Sequence, residues 1–199
     1  GRTFISKGMV KRAKKLARQN IDKIKNLINS ENVLVGIEPS TLLSFRDEYP
    51  SLVEEDIEQL NSNIYLFDEF FAKEIEENNI SAEQFTQKAE KILLHGHCQQ
   101  KALIGTEYME KMLSLPKNYS VEVIPSGCCG MAGSYGYEKR HYEKSKQIAD
   151  LHLTKAINKA DKSTIISAPG TSCREQIKHF TQRKALHPIE IMYNALKTK

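Results

Sequence analysis

Val121-Glu122-Val123-Ile124-Pro125-Ser126-Gly127-Cys128-Cys129-Gly130 opens as an apolar strand and ends in two adjacent cysteines bracketed by glycines. Successive side chains on a strand point to opposite faces. Two neighbouring thiols therefore reach one centre only if the backbone turns sharply at that point. Gly127 and Gly130 permit the turn, because glycine adopts positive φ without a Cβ clash. Gly133 and Gly136 follow and would let the main chain approach a bound group with its N–H donors free. Short apolar runs recur at Val33-Leu34-Val35-Gly36-Ile37, Lys91-Ile92-Leu93-Leu94-His95-Gly96 and Thr164-Ile165-Ile166-Ser167-Ala168. Runs of this kind are the mark of strands buried on both faces.

Helical patterns separate the runs. Val10, Ala13, Leu16, Ala17, Ile21 and Ile24 repeat at three- and four-residue spacing, with Lys11, Arg12, Lys14, Lys15, Arg18 and Lys25 on a solvated face. Further helix is expected from Thr41 to Leu60, broken near Tyr49-Pro50-Ser51, and over 65–78. Others are expected from Ser81 with a capping box, from Gln99 to Leu113, from Lys139 to Ala160, after Cys173, and from Pro188 to Leu196. Strand and helix in alternation predict an α/β fold with parallel sheets covered by helices. Residues 1–49 and 130–180 share an order of elements, which predicts two pseudo-repeated lobes. The first, 1–85, has no cysteine, and the second, 86–199, carries all four.

Composition narrows the class. Of 199 residues, 40% are apolar and 27% charged, and the net charge is only +4. That balance belongs to a globular protein and gives no argument for nucleic acid. No apolar run is long enough to span a membrane, and no secretory signal is present. The chain starts at Gly1 inside structured-looking sequence, which reads as a piece cut from a longer protein. Four cysteines are too few for a disulfide scaffold. Without a secretory signal, reduced thiols in a cytoplasmic setting are expected, and hence metal binding or redox chemistry.

Cys98, Cys128, Cys129 and Cys173 each follow the carboxyl end of a predicted strand. Loops at that edge of a parallel sheet gather into one site, so the four thiols are expected to share a metal centre. Soft thiolates select zinc, copper(I) or iron–sulfur clusters. Structural zinc usually draws on closely spaced pairs two to four residues apart, so the adjacent pair favours iron–sulfur. Buried, unligated thiols are the plainer alternative. His97 flanks the site and could ligate or bond to a cluster sulfur, though packing is the simpler role. His187 reads as a helix start. No Ser–His–Asp order, HExxH, phosphate loop or dinucleotide fingerprint is present, so no catalytic residue is assigned.

His95-Gly96-His97-Cys98-Gln99-Gln100-Lys101-Ala102, Gly127-Cys128-Cys129-Gly130-Met131-Ala132-Gly133-Ser134-Tyr135-Gly136-Tyr137-Glu138, Gly170-Thr171-Ser172-Cys173-Arg174-Glu175-Gln176-Ile177 and His187-Pro188-Ile189-Glu190 together resemble the double-cysteine-glycine, cysteine-rich domain. That domain occurs in one subunit of heterodisulfide reductase, in one subunit of anaerobic glycerol-3-phosphate dehydrogenase, and in the glycolate oxidase iron–sulfur subunit. It also forms the C-terminal part of FAD-linked D-2-hydroxyacid dehydrogenases of the D-lactate type. The resemblance extends over nearly the whole chain. Three positions depart from it. Gly170 stands where the family often has the first cysteine of Cys-x-x-Cys, Gln99 where close relatives have histidine, and Thr41 where the first repeat usually has cysteine.

The resemblance implies a [4Fe–4S] cluster on Cys98, Cys128, Cys129 and Cys173, with Gly127, Gly130, Gly133 and His97 around it. It implies an electron-transfer domain that relays electrons from an FAD outside this chain, reduced by a small 2-hydroxyacid, to a downstream acceptor. The flavin domain and that acceptor are then its partners, in the cytoplasm or peripherally on the inner face of a membrane. The alternative is a non-redox scaffold lobe with vestigial cysteines or a structural zinc.

Overall fold

The computed structural model describes residues 1–197; Thr198 and Lys199, the last positions of the expected second lobe, lie outside them. The chain forms two compact units, Gly1–Phe67 and Asp68 onward. The first unit holds the amphipathic helix Val10–Ile24, which buries Ala13, Ala17 and Ile21. Its two strands, β1 (Leu34–Gly36) and β2 (Ile64–Leu66), pair in parallel.

The second unit is built on a four-stranded sheet. Its strands are β3 (Glu90–Leu94), β4 (Tyr119–Val123), β5 (Ile165–Ser167) and β6 (Ala185–Leu186), in the order β4-β3-β5-β6. Every ladder is parallel, and helices make each crossover. The chain moves outward from β3 to β4, then returns to the other side of β3 for β5. The strand order therefore reverses between β3 and β5, and the carboxyl ends at such a reversal are where open α/β sheets hold their ligands. Beneath that edge Leu93, Ile124, Leu153, Ile157, Ile166, Ala168 and Ile177 form one apolar cluster, which also takes in Cys129 and Cys173. The α/β class and the parallel sheets flanked by helices agree with the sequence reading.

The differences are local. Ile64–Leu66 is a strand leading into the helix Phe67–Glu76, where the sequence reads as helix from 65. No breaker separates the two, so periodicity alone merges them. The helix expected from Gln99 to Leu113 is two helices, Cys98–Leu103 and Glu107–Leu113. Gly105, at φ 80°, ends the first of them, and its N–H closes on the Gln100 carbonyl at 3.1 Å. The helix expected from Lys139 is likewise divided, at His152, into Tyr142–Leu151 and Leu153–Lys159. Residues 68–85, read from sequence as the end of the first lobe, fall within the second compact unit. There Gln100 Nε2 donates to Asp68 Oδ2 at 2.6 Å, and Phe85 bridges to Leu196. No helix among the described residues is long and apolar enough to cross a membrane.

Candidate metal centre

Three neighbouring strands deliver the four cysteines to one place. Cys98 begins the helix after β3, Cys128 and Cys129 lie in the loop after β4, and Cys173 sits in the first turn of the helix Thr171–Thr181 after β5. All four are free thiols. Their side chains form a chain of hydrogen bonds, Cys98 with Cys128, Cys128 with Cys129, and Cys129 with Cys173. The set grades from surface to interior. Cys98 is exposed and Cys128 half-buried, while Cys129 and Cys173 are buried.

In the double-cysteine loop side chains take up the carbonyls, and amides donate to sulfur. Lys101 Nζ, from the helix that Cys98 begins, donates to the carbonyls of Ser126 and Gly127, the latter at 2.8 Å. Gln176 Nε2, from the Cys173 helix, donates to the Cys129 carbonyl at 3.0 Å. Ser145 Oγ donates to the Gly130 carbonyl at 2.8 Å. The Gly130 amide then donates to Cys128 Sγ at 3.3 Å, joined by the Ala132 amide. Cys129 receives the Met131 amide. Amides aimed at sulfur favour the charged thiolate.

The thiols do not titrate alike. Hydrogen bonds from the Cys129 and Cys98 thiols, reinforced by the two amides, push Cys128 well below the usual thiol range. Cys173 is likewise lowered, first by the hydrogen bond from Cys129 and then by His95. Cys98 and Cys129 move the other way, because each gives its proton to a neighbouring sulfur and is partly desolvated. Ionising all four would place several negative charges side by side in a poorly solvated site. A cation bound among them relieves that repulsion, as expected for a metal-binding donor set.

Two histidines complete the site. His95 is fully buried, and its Nδ1 lies 2.7 Å from Ser126 Oγ. A ring nitrogen of His95 and the sulfurs of Cys129 and Cys173 all lie within 4.8 Å of one another. His97 caps the Cys98 helix, its Nδ1 accepting from the Gln99 amide at 3.3 Å. Because that nitrogen accepts, the proton of neutral His97 resides on Nε2. The ring occupies space left by Gly170: a Cβ there would stand 2.6 Å from His97 Cδ2 and 3.2 Å from Cys173 Sγ. The space that a side chain at position 170 would need is thus taken by an imidazole edge.

Of the glycines singled out by sequence, Gly130 has φ 97° and Gly133 φ 69°. Gly127 is not at positive φ and is exposed, contributing its carbonyl to Lys101. The turn is made by Gly130, Ala132 and Gly133 instead. The sequence pattern assigns no role to Ser126, Lys101, Ser145 or Gln176, and carries His95 only within a strand run and a motif. Their types are ordinary, and only the fold brings them to the loop. Lys101 offers a direct test. Gly96 leaves room for its stem, since a Cβ there would lie 3.0 Å from Lys101 Cγ and Cδ. Lys101→Met keeps the stem and removes both charged hydrogen bonds, with an expected cost of about 1–3 kcal/mol, measured by denaturant unfolding of the apo chain. An unchanged midpoint would show that the tether does not hold the loop.

Residues 92–178 match the family described as Cysteine-rich domain, CCG. D-2-hydroxyglutarate dehydrogenase of Escherichia coli (strain K12) is 29% identical over 96% of this chain and 18% of its own length. The Pseudomonas putida enzyme of the same name is 30% identical over 89% of this chain and 17% of its own. A subunit of the anaerobic glycerol-3-phosphate dehydrogenase of Escherichia coli (strain K12) is 26% identical over 98% of this chain and 49% of its own. The chain therefore spans less than a fifth of those D-2-hydroxyglutarate dehydrogenases and about half of that subunit. No solved structure gives a significant match. The double-cysteine loop and the cysteine-bearing ends of β3 and β5 thus all lie within the stretch, residues 92–178, that matches the cysteine-rich domain family.

Proposed function

We propose that this chain is an iron–sulfur electron-transfer module of an FAD-linked oxidoreductase acting on a small 2-hydroxyacid. The observation that carries the reading is the convergence of four thiols from three strand ends, with backbone amides turned toward them. The donor set is soft, four sulfurs with imidazole beside them, and suits an iron–sulfur cluster. Cys98, Cys128, Cys129 and Cys173 would hold it as a [4Fe–4S] centre. Bound there, the group would supply one-electron transfer at a potential set by its surroundings.

The chain's own residues do the rest. The amides of Gly130, Met131 and Ala132 bond to the sulfurs and spread their negative charge. The Lys101 ammonium, itself lowered by burial, stands within the field of all four thiols. Cys129 and Cys173 are sealed from water, while exposed Cys98 marks the edge nearest solvent. The names of the relatives support a 2-hydroxyacid such as D-2-hydroxyglutarate as the parent's electron source. The flavin that would take those electrons belongs to another part of the parent, and the acceptor is a further partner.

The test is anaerobic reconstitution with iron and sulfide, followed by metal and acid-labile sulfide analysis. Matched iron and sulfide with broad absorbance near roughly 400 nm supports the reading. A second reading rests on the 4.8 Å grouping of His95, Cys129 and Cys173, a spacing that also suits one tetrahedral ion. Stoichiometric zinc with no sulfide would make the chain a zinc-stabilised scaffold instead.

A further inference from the structure

His95 is the most deeply buried donor at the site, with no solvent exposure. Its Nδ1 is committed to Ser126 Oγ at 2.7 Å. Its Nε2 has no hydrogen-bond partner, although a buried polar atom left alone is costly and uncommon. A ring nitrogen of His95 and the sulfurs of Cys129 and Cys173 group within 4.8 Å. When Nδ1 donates its proton to Ser126 Oγ, the lone pair falls on Nε2. A ligating histidine is usually arranged in this way, with one nitrogen donating its proton to an outer partner and the other facing the metal.

We propose that His95 Nε2 is a direct ligand of the metal centre, bonded at its buried end between Cys129 and Cys173 and oriented there by Ser126. The centre is then a mixed sulfur–nitrogen site rather than an all-thiolate one. Iron–sulfur chemistry accepts imidazole as a ligand, as the histidine-bound iron of Rieske centres illustrates. His97 takes a different part. Its Nδ1 accepts the Gln99 amide, so its Nε2 carries a proton and can donate a hydrogen bond but cannot ligate. The two histidines thus divide between ligand and donor according to what holds their other nitrogen. This inference rests on the iron–sulfur reading above.

Pulsed EPR of the reduced, reconstituted 199-residue chain tests it without any substitution. The chain is prepared once with ordinary histidine and once with ¹⁵N-histidine, beside a Rieske protein as the standard for directly bound imidazole. The expected result is a nitrogen coupling of Rieske size that changes with the label in the ratio of the two nuclear moments. His95→Gln should keep the iron on four thiols and lose that coupling, whereas His97→Gln should retain it. Only weak couplings, unaffected by the histidine label, would show hydrogen bonds from amides and overturn the proposal while leaving the cluster in place. A coupling lost in His97→Gln and kept in His95→Gln would overturn it as well. Failure to assemble iron and sulfide in the unaltered chain is a separate result, read by chemical analysis, and would sink the iron–sulfur reading and the ligand with it.

Discussion

Cys129→Ser is expected to strip the centre of most of its iron and sulfide and to abolish the absorbance near roughly 400 nm that a cluster would give. Serine keeps the size and the hydrogen bond of cysteine but replaces a soft thiolate with a hard, weakly acidic oxygen. Cys129 is also the hinge of the donor set, since its thiol is bonded to both Cys128 and Cys173. Under the proposed function, transfer from flavin to acceptor in the parent should fall by more than the roughly 10- to 100-fold that loss of an outer partner of a metal site costs. Under the same proposal, reduction of the flavin by the hydroxyacid should persist, because that chemistry would lie outside this chain. The apo fold should lose about 1–3 kcal/mol, the cost of a buried hydroxyl among apolar neighbours, as Cys129 is only 4% exposed within the core cluster. Thr41→Ala, at an exposed position in the cysteine-free unit, should leave iron unchanged. Full iron and full acceptor reduction in Cys129→Ser would make the double cysteine a packing feature.

The parallel sheet was legible because β3, β4 and β5 are short apolar runs ending in loops with glycine, and that pattern has few other solutions. The meeting of the cysteines was legible for the same reason, since adjacent parallel strands must bring their carboxyl ends together. What stayed hidden depended on sequence-distant partners. Ser145 and Gln176 look like ordinary polar residues on amphipathic helices, yet both are buried. Gln176 spans 47 residues to reach Cys129. His95 reads as the last residue of an apolar run, and nothing in its spacing separates it from His97. The distinction arises from Ser126 on one ring and the Gln99 amide on the other. Two-residue β6 is too short for any periodicity to register. The turn itself was half legible. Glycine was required, but at Gly130 and Gly133 and not at Gly127.

Gly130→Ala should be the most damaging single substitution of the loop for the apo fold. At φ 97° the backbone lies where an L side chain is strained by about 1–2 kcal/mol. A Cβ would also run into the Ser145 carbonyl oxygen and come within 3.0 Å of Gln176 Nε2. The carbonyl belongs to the helix Tyr142–Leu151 and cannot swing aside as a side-chain end can, so the loop has to move. Movement breaks the bond from Ser145 Oγ to the Gly130 carbonyl and disturbs the Gln176 bond to Cys129. Overpacking of this kind costs about 1–3 kcal/mol. Added to the strain, the total is about 2–5 kcal/mol, enough to lower Tm by roughly 5–15 °C in a chain of this length. Gly127→Ala is the control three residues away. Its Cβ would meet nothing within 4 Å, and its φ is not positive, so its effect on stability should stay within about 0.5 kcal/mol. Calorimetry of the two apo variants separates the cases. If both melted with the unaltered chain, the close approach of the loop to the Ser145 helix would be refuted, and with it the account of how the amides come to face the sulfurs.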